Sequence, residues 1–123
     1  MDTQVQQYIA WIDLETSGFD PSYNEITQIG CVIAARDTFK EVDTFEIKVR
    51  FDPEKASAES LEIMGYSPER WADAVEPDVA RTEFAAFIRK YCTWTRVSKR
   101  TNREYQTLEI AGQNIPFDIS FLE

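Results

Sequence analysis

Two carboxylates, Asp13 and Glu15, stand two positions apart at the end of a short apolar run, where they could act together on a cation. The run 8–14 predicts a buried strand, and residues i and i+2 of a strand project from the same face. Two like charges so close are unfavourable unless a cation lies between them. Mg²⁺ and Mn²⁺ prefer such oxygen ligands. A pair of these ions about 4 Å apart can hold the attacking water and the leaving oxygen of a phosphoryl transfer.

The spacing of this pair also has a plain structural interpretation. Turn-forming residues follow at Ser17-Gly18 and at Asp20-Pro21-Ser22. Asp13 could therefore do no more than start a turn, with Glu15 solvated. Taken alone, the pair leaves both interpretations open.

The elements that would position the pair begin with strands and continue with helices. Strands are predicted over residues 8–14, 25–35 and 38–51, with a further short one over 107–111. The spacing of the first three favours an antiparallel meander. Helices are predicted over 58–64 (capped by Ser57 and ended by Gly65), from Ser67-Pro68-Glu69, from Pro77, and over 117–123 after a turn at 112–116. Residues 93–103 are predicted to form a loop or a β-ribbon insertion.

Two segments of the chain resemble motifs of a known enzyme family. The first comprises residues 11–21, WIDLETSGFDP, and the following 25–33, EITQIGCVI; the second is 111–122, AGQNIPFDISFL. In order and spacing they resemble the first two motifs of the DEDD (DnaQ-like) 3′–5′ exonuclease superfamily. The resemblance implies an α/β, ribonuclease-H-like fold in one domain, residues 1–123. That fold has a three-stranded meander, helices, a fourth strand and the start of the next helix.

The resemblance also implies roles for individual residues and a cofactor of two Mg²⁺ or Mn²⁺ ions. Asp13 would bridge both ions, Glu15 would bind the ion that activates the water, and Asp118 would support the second ion or its waters. Four further residues would contact the substrate or order the site: Thr16, Phe19, Met64 and Asn114. Of these, Phe19 and Met64 equally suit ordinary core positions.

The chain departs from the family pattern at its C-terminal end. The family takes a fourth carboxylate and a histidine or tyrosine base from a last helix, whereas this sequence has no histidine and stops five residues after Asp118. We therefore expect a C-terminally truncated fold, with little activity from the chain alone. Copies are expected to associate, or a segment of another chain to complete the fold. The function implied is a 3′–5′ exonuclease; the alternative is a catalytically incomplete nucleic-acid-binding or scaffolding module.

Charge and composition narrow the possible partners. The net charge of −9 argues against a protein that merely coats nucleic acid. Residues 89–103 nevertheless hold six basic residues and no acidic one, interleaved with Tyr91 and Trp94. Such a segment could hold a single or 3′-ended strand, or it could be a solvated loop.

The N-terminus lacks a signal-peptide pattern and no apolar run is long enough for a membrane span. With two cysteines far apart, this favours a cytoplasmic protein.

Overall fold

The structure is a computed structural model and describes residues 5–112. Six strands and two α-helices, with one 3₁₀ turn at Pro53–Lys55, make up this part of the chain. The strands are β1 (Tyr8–Thr16), β2 (Ile26–Ala35), β3 (Glu41–Lys48), β4 (Trp94–Val97), β5 (Glu104–Thr107) and β6 (Glu109–Ala111). The helices are α1 (Ala58–Met64) and α2 (Pro77–Arg89).

The main sheet has the strand order β3-β2-β1-β6. Its first three strands are antiparallel neighbours, which confirms the predicted meander, and β6 lies parallel to β1 on the other side. A strand that runs parallel to β1 needs a crossover connection. The chain between β1 and β6 makes this connection, and α2 lies within it. The arrangement confirms the predicted α/β class and the predicted fourth strand of the sheet.

One face of the sheet packs against α2. Alternate residues of β1 are buried on this face: Ala10, Ile12 and Leu14. From α2, Phe87 packs into the same cluster and belongs to the apolar stripe of this amphipathic helix. Cys31 of β2 is also buried there, and burial, with the nearby Asp43 carboxylate adding to it, raises the pKa of its thiol to about 11. The residues of β1 that alternate with Ala10, Ile12 and Leu14 project from the opposite face of the sheet.

Both α-helices begin where the sequence predicts. The hydroxyl of Ser57 accepts a hydrogen bond from the amide of Ser60 and caps α1. Gly65 ends α1 with φ of 64°, a left-handed conformation that favours glycine. Pro77 is the first residue of α2. No helix within residues 5–112 is long and apolar enough to cross a membrane.

The helix predicted from Ser67 is wrong, because the structure has only turns there. The hydroxyl of Ser67 does accept from the amide of Arg70, as a helix cap would. The turn does not propagate, since Trp71 is buried and its indole N–H donates to the Thr27 carbonyl at 3.1 Å. Trp71 and Ala74 pack with Phe51 in a second apolar cluster that fixes the backbone locally. Tertiary packing outweighs the capping signal at this position.

Residues 93–103 contain a strand of a β-ribbon. Of the two predicted alternatives, a loop and a β-ribbon insertion, the ribbon is confirmed. β4 and β5 pair antiparallel, from Trp94 opposite Thr107 to Val97 opposite Glu104. The single strand predicted over 107–111 is divided, because Thr107 ends the ribbon and β6 starts at Glu109. The predicted turn at 112–116 and helix at 117–123 lie almost wholly outside the described residues.

Candidate functional site

Asp13 and Glu15 project from the face of β1 that points away from α2. Burial alternates along the strand, with Ile12 and Leu14 inside and Asp13 exposed, while Glu15 is half-buried. Because a strand rises about 3.3 Å per residue, the two carboxylates stand roughly 7 Å apart at their Cα atoms. Within residues 5–112, Asp13 has no ion-pair or side-chain hydrogen-bond partner, so its oxygens are available to a ligand there.

Gly30 has no side chain and so leaves a depression beside Asp13 on this face of the sheet. The register places Asp13 opposite Gly30 on β2, and Gly30 opposite Glu46 on β3. A groove runs along this face, and it is also lined by Trp11 and Val32. Trp11 and Val32 are 47% and 37% exposed, so the groove offers apolar surface beside a carboxylate. The sequence signal for this groove was the glycine within the β2 pattern, but its meaning depends on strand register.

The loop after β1 is held by hydrogen bonds at its base. Ser17 is completely buried; its amide donates to the Glu25 carbonyl at 2.8 Å, and its hydroxyl accepts from the Glu25 amide at 2.9 Å. The Asn24 side chain accepts from the Asp20 amide and donates to the Lys55 carbonyl. A Cβ atom at Gly18 would lie 2.4 Å from the Asn24 amide oxygen, so any larger residue there must displace the Asn24 side chain.

The same loop is tied to the segment that precedes α1. The Ser57 amide donates to the Ser17 carbonyl at 2.9 Å, so the N-terminal cap of α1 is fixed to the end of β1. Within the loop, hydrogen bonds from the hydroxyl and the amide of Ser22 lower the pKa of the Asp20 carboxyl below its usual value. This favours the ionised form in which Asp20 closes the turn. The carboxylate pair therefore lies next to a loop that hydrogen bonds hold at several points.

The remaining predicted site residues differ in their surroundings. The Thr16 hydroxyl donates to the Gly18 carbonyl at 2.6 Å, beside the carboxylate pair. Phe19 is 74% exposed at the outside of the loop, so it is not a core residue. Met64 is 7% exposed and packs with Phe51 and Trp71, which gives it a core role. A substrate contact for Met64 stays a prediction.

The predicted residues Asn114 and Asp118 lie outside the described residues. Within residues 5–112, no group of three acidic, cysteine or histidine side chains could hold a metal ion. Asp13 and Glu15 fit a hard divalent cation in donor type and in their common face. They supply part of a ligand set and need at least one further donor.

A comparison with known sequences decides the family. Residues 10–123 match the profile of the exonuclease family RNase_T. The chain belongs to this exonuclease family. Its members are nucleases, and the DEDD exonucleases generally use divalent metal ions. No protein in a search of curated sequences matches significantly.

Solved structures share the fold of this exonuclease domain at low sequence identity. The nuclease domain of 3′hExo, a DEDDh family member bound to rAMP, is 18% identical with a TM-score of 0.68, covering 95% of this chain and 56% of its own. Exonuclease I from Methylocaldum szegediense is 18% identical with a TM-score of 0.64, covering 94% and 22%. A 3′-exonuclease solved for 3′-end-specific recognition of a histone mRNA stem-loop is 20% identical with a TM-score of 0.57, covering 72% and 41%. The chain thus spans about half or less of these relatives, and the likeness confirms the ribonuclease-H-like exonuclease fold.

Proposed function

We propose that this chain carries the metal-binding part of a 3′–5′ exonuclease site, which hydrolyses phosphodiester bonds at nucleic-acid 3′ ends with two divalent ions. The observation that carries the proposal is the position of Asp13 and Glu15. They lie side by side on the open face of β1 in a member of an exonuclease family. Carboxylates in this position can bind Mg²⁺ or Mn²⁺ without being buried.

Each proposed residue has a distinct task at the site. The Asp13 carboxylate has two oxygens and would bridge both ions, while Glu15 would bind the ion next to the attacking water. Asp118 would complete the set, and Asn114 would order the site. The ions, when bound, lower the pKa of water and neutralise charge on the phosphate. The protein contributes a fixed donor spacing, because β1 pairs with β2 at both Asp13 and Glu15.

The loop after β1 is suited to hold the terminal nucleotide. The backbone around Thr16 lies next to the carboxylates and would contact the 3′-hydroxyl. Phe19 is exposed on the outer part of the loop and would pack against the terminal bases, since aromatic side chains stack on bases of any sequence. Among the similar structures, one is bound to rAMP and another was solved for recognition of an RNA 3′ end. A nucleic-acid 3′ end is therefore the substrate we infer.

Titration of Mn²⁺ into the purified chain tests the metal site. We expect Asp13→Ala to weaken Mn²⁺ binding more than tenfold, because it removes the bridging carboxylate. Glu46→Ala is the matched control: Glu46 lies on the same sheet face two strands away, where it accepts a hydrogen bond from Gln28 at 2.7 Å. Equal binding by the wild type and Asp13→Ala would refute the proposed site, as would an equal loss in Glu46→Ala.

The alternative function is a nucleic-acid-binding or scaffolding module without catalysis. Release of the terminal nucleotide from a 3′-labelled single strand separates the two functions. For the exonuclease we expect slow, Mn²⁺-dependent release that Asp13→Ala reduces at least tenfold. Strand binding with release no faster than in Asp13→Ala would favour the module.

A further inference from the structure

The β4–β5 ribbon has two faces of different chemistry. Residues paired in an antiparallel ladder project from the same side, so Trp94 and Arg96 share a face with Thr107 and Tyr105. The opposite face carries four residues of mixed character: Thr95, Val97, Glu104 and Gln106. We call the first side, with Trp94, Arg96 and Tyr105, the ribbon face. The ribbon face therefore carries two aromatic side chains and a cation, whereas the opposite face carries the carboxylate of Glu104.

A second cation joins the ribbon face from the main sheet. The guanidinium of Arg36, at the end of β2, lies 5.2 Å from the centre of the Trp94 ring, and that of Arg96 lies 4.9 Å from it. Both arginines are thus oriented by one indole. Tyr105 stands opposite Arg96 and is 44% exposed, so its ring is open to a ligand. These residues line one groove beside β6.

The cationic surface continues to the tip of the ribbon. Three basic side chains are exposed there: Lys99, Arg100 and Arg103. None of them takes part in an ion pair among the described residues. Two aromatic rings beside a row of unpaired cations provide the combination that holds single-stranded nucleic acid. Tyr91, in contrast, packs between Tyr8 and Phe87 and donates its hydroxyl to Asp43, so it is not part of this surface.

The ribbon face adjoins the same side of the main sheet as Asp13. The Arg36 side chain also bonds to Glu109 at 2.9 Å. Glu109 pairs in register with Ile9 of β1, so its side chain shares the face of Ile9, Trp11 and Asp13. Asp13 is four positions after Ile9, which places the two residues roughly 13 Å apart along the strand. That is roughly four nucleotides at the rise of about 3.4 Å per nucleotide in stacked DNA.

We propose that the ribbon face binds the single-stranded segment of a nucleic acid that lies upstream of the 3′ end held at Asp13. Tyr105 stacks on a base, while Arg36 and Arg96 contact phosphates. The inference rests on the proposed exonuclease function, which supplies the 3′ end. It adds a second contact, which makes affinity depend on strand length: a dinucleotide at Asp13 cannot reach the ribbon, whereas a longer strand can.

Equilibrium binding to strands of two lengths tests this contact. Fluorescence anisotropy is measured with a labelled single strand of about 16 nucleotides, the upper end of single-strand site sizes. The affinity of a dinucleotide is measured by its competition with this labelled strand. We expect Tyr105→Ala and Arg96→Glu each to weaken binding of the long strand at least fivefold and to change dinucleotide binding less than twofold. The stacking contact is lost in the first variant and the charge is reversed in the second.

Two control variants match these substitutions. Gln106→Ala truncates the neighbour of Tyr105 on the opposite ribbon face. Arg81→Glu reverses an exposed cation on α2, which packs on the other side of the sheet. Both should bind the long strand within twofold of the wild type. An equal loss in either control, or no loss in Tyr105→Ala and Arg96→Glu, would overturn the proposal.

Mn²⁺ titration of the same variants separates this proposal from the exonuclease function. We expect Tyr105→Ala and Arg96→Glu to keep wild-type Mn²⁺ affinity, because both residues lie away from Asp13. Failure of the Asp13→Ala test with a length-dependent loss at the ribbon would refute the metal site alone. The reverse pattern would refute the ribbon contact alone.

Discussion

At its carboxyl end, β1 presents Asp13 and Glu15 on the open face of the sheet, whereas at its amino end the same face meets Arg36 and the ribbon face. The acidic end stands on the main core, since Ile12 and Leu14 are buried directly beneath it. The cationic end projects from the sheet on two short strands with little buried surface. If the two proposals hold, the contrast means that cation coordination uses a rigid part of the sheet, whereas nucleic-acid binding uses a less packed element.

Removing core packing should affect the acidic end far more than the ribbon. Ile12→Ala takes a side chain that is 5% exposed from beneath Asp13, and we expect it to lower the free energy of unfolding by about 2–5 kcal/mol. Val97→Ala truncates a ribbon residue that is 54% exposed and should cost less than about 0.5 kcal/mol. Urea denaturation measures both. Similar losses would show that the ribbon is as tightly packed as the sheet.

The loop beside the carboxylates should depend on the contact between Gly18 and Asn24. In Gly18→Ala the new methyl displaces the Asn24 side chain and breaks its hydrogen bonds to Asp20 and Lys55, at a cost of about 1–3 kcal/mol. The double variant Gly18→Ala/Asn24→Ala should be no less stable than Asn24→Ala alone, because the clash is then absent. Additive losses in urea denaturation would contradict this cause.

Salt should weaken strand binding through the ribbon. If a few cations of the ribbon contact phosphates, affinity for the long single strand should fall roughly tenfold between about 50 and 200 mM salt. Arg96→Glu should flatten this dependence, because it removes a phosphate contact. Anisotropy titrations at several salt concentrations give the slope, and Arg81→Glu should leave it unchanged. A slope unaltered by Arg96→Glu would place the phosphate contacts elsewhere.

High pH should weaken the contact between Tyr91 and Asp43 and so lower the stability of the fold. The hydrogen bond to Asp43, with partial burial, raises the pKa of Tyr91 to about 12 from its ordinary value of 10. Its stabilisation is therefore complete below pH 10 and is lost as the pH rises from 10 towards 12. Urea denaturation across this range should show a smaller loss for Tyr91→Phe than for the wild type. Equal losses would mean that Tyr91 does not carry the effect.

The sequence predicted those elements whose signals are local. The alternation in β3 and the apolar stripe of α2 follow from single-element periodicity, and the caps at Ser57 and Pro77 mark where helices begin. The same capping logic was wrong at Ser67, where the burial of Trp71 decides the backbone. Local signals cannot report such packing against a distant strand.

At the candidate site, local periodicity predicts the residues within one strand but not their neighbours from other strands. Alternation along β1 was sufficient to place Asp13 and Glu15 on one face. The groove floor at Gly30 required the register between β1 and β2. The ribbon face required a partner from the main sheet, since Arg36 is 58 positions before Trp94 in the chain. Sequence proximity groups Tyr91 with the basic segment, although it is partly buried and packs against the core.

The register between β1 and β2 changes only between Glu15 and Thr16, beyond the carboxylate pair. Up to Glu15 the pairing with β2 is regular, so the alternation that buries Ile12 and Leu14 also turns Asp13 towards solvent. A chain that paired β1 one residue out of step would bury both carboxylates and expose the core side chains. Such a sheet would lose the burial of Ile12 and Leu14 in the core cluster. A chain that folds in the correct register therefore also has its acidic pair correctly oriented.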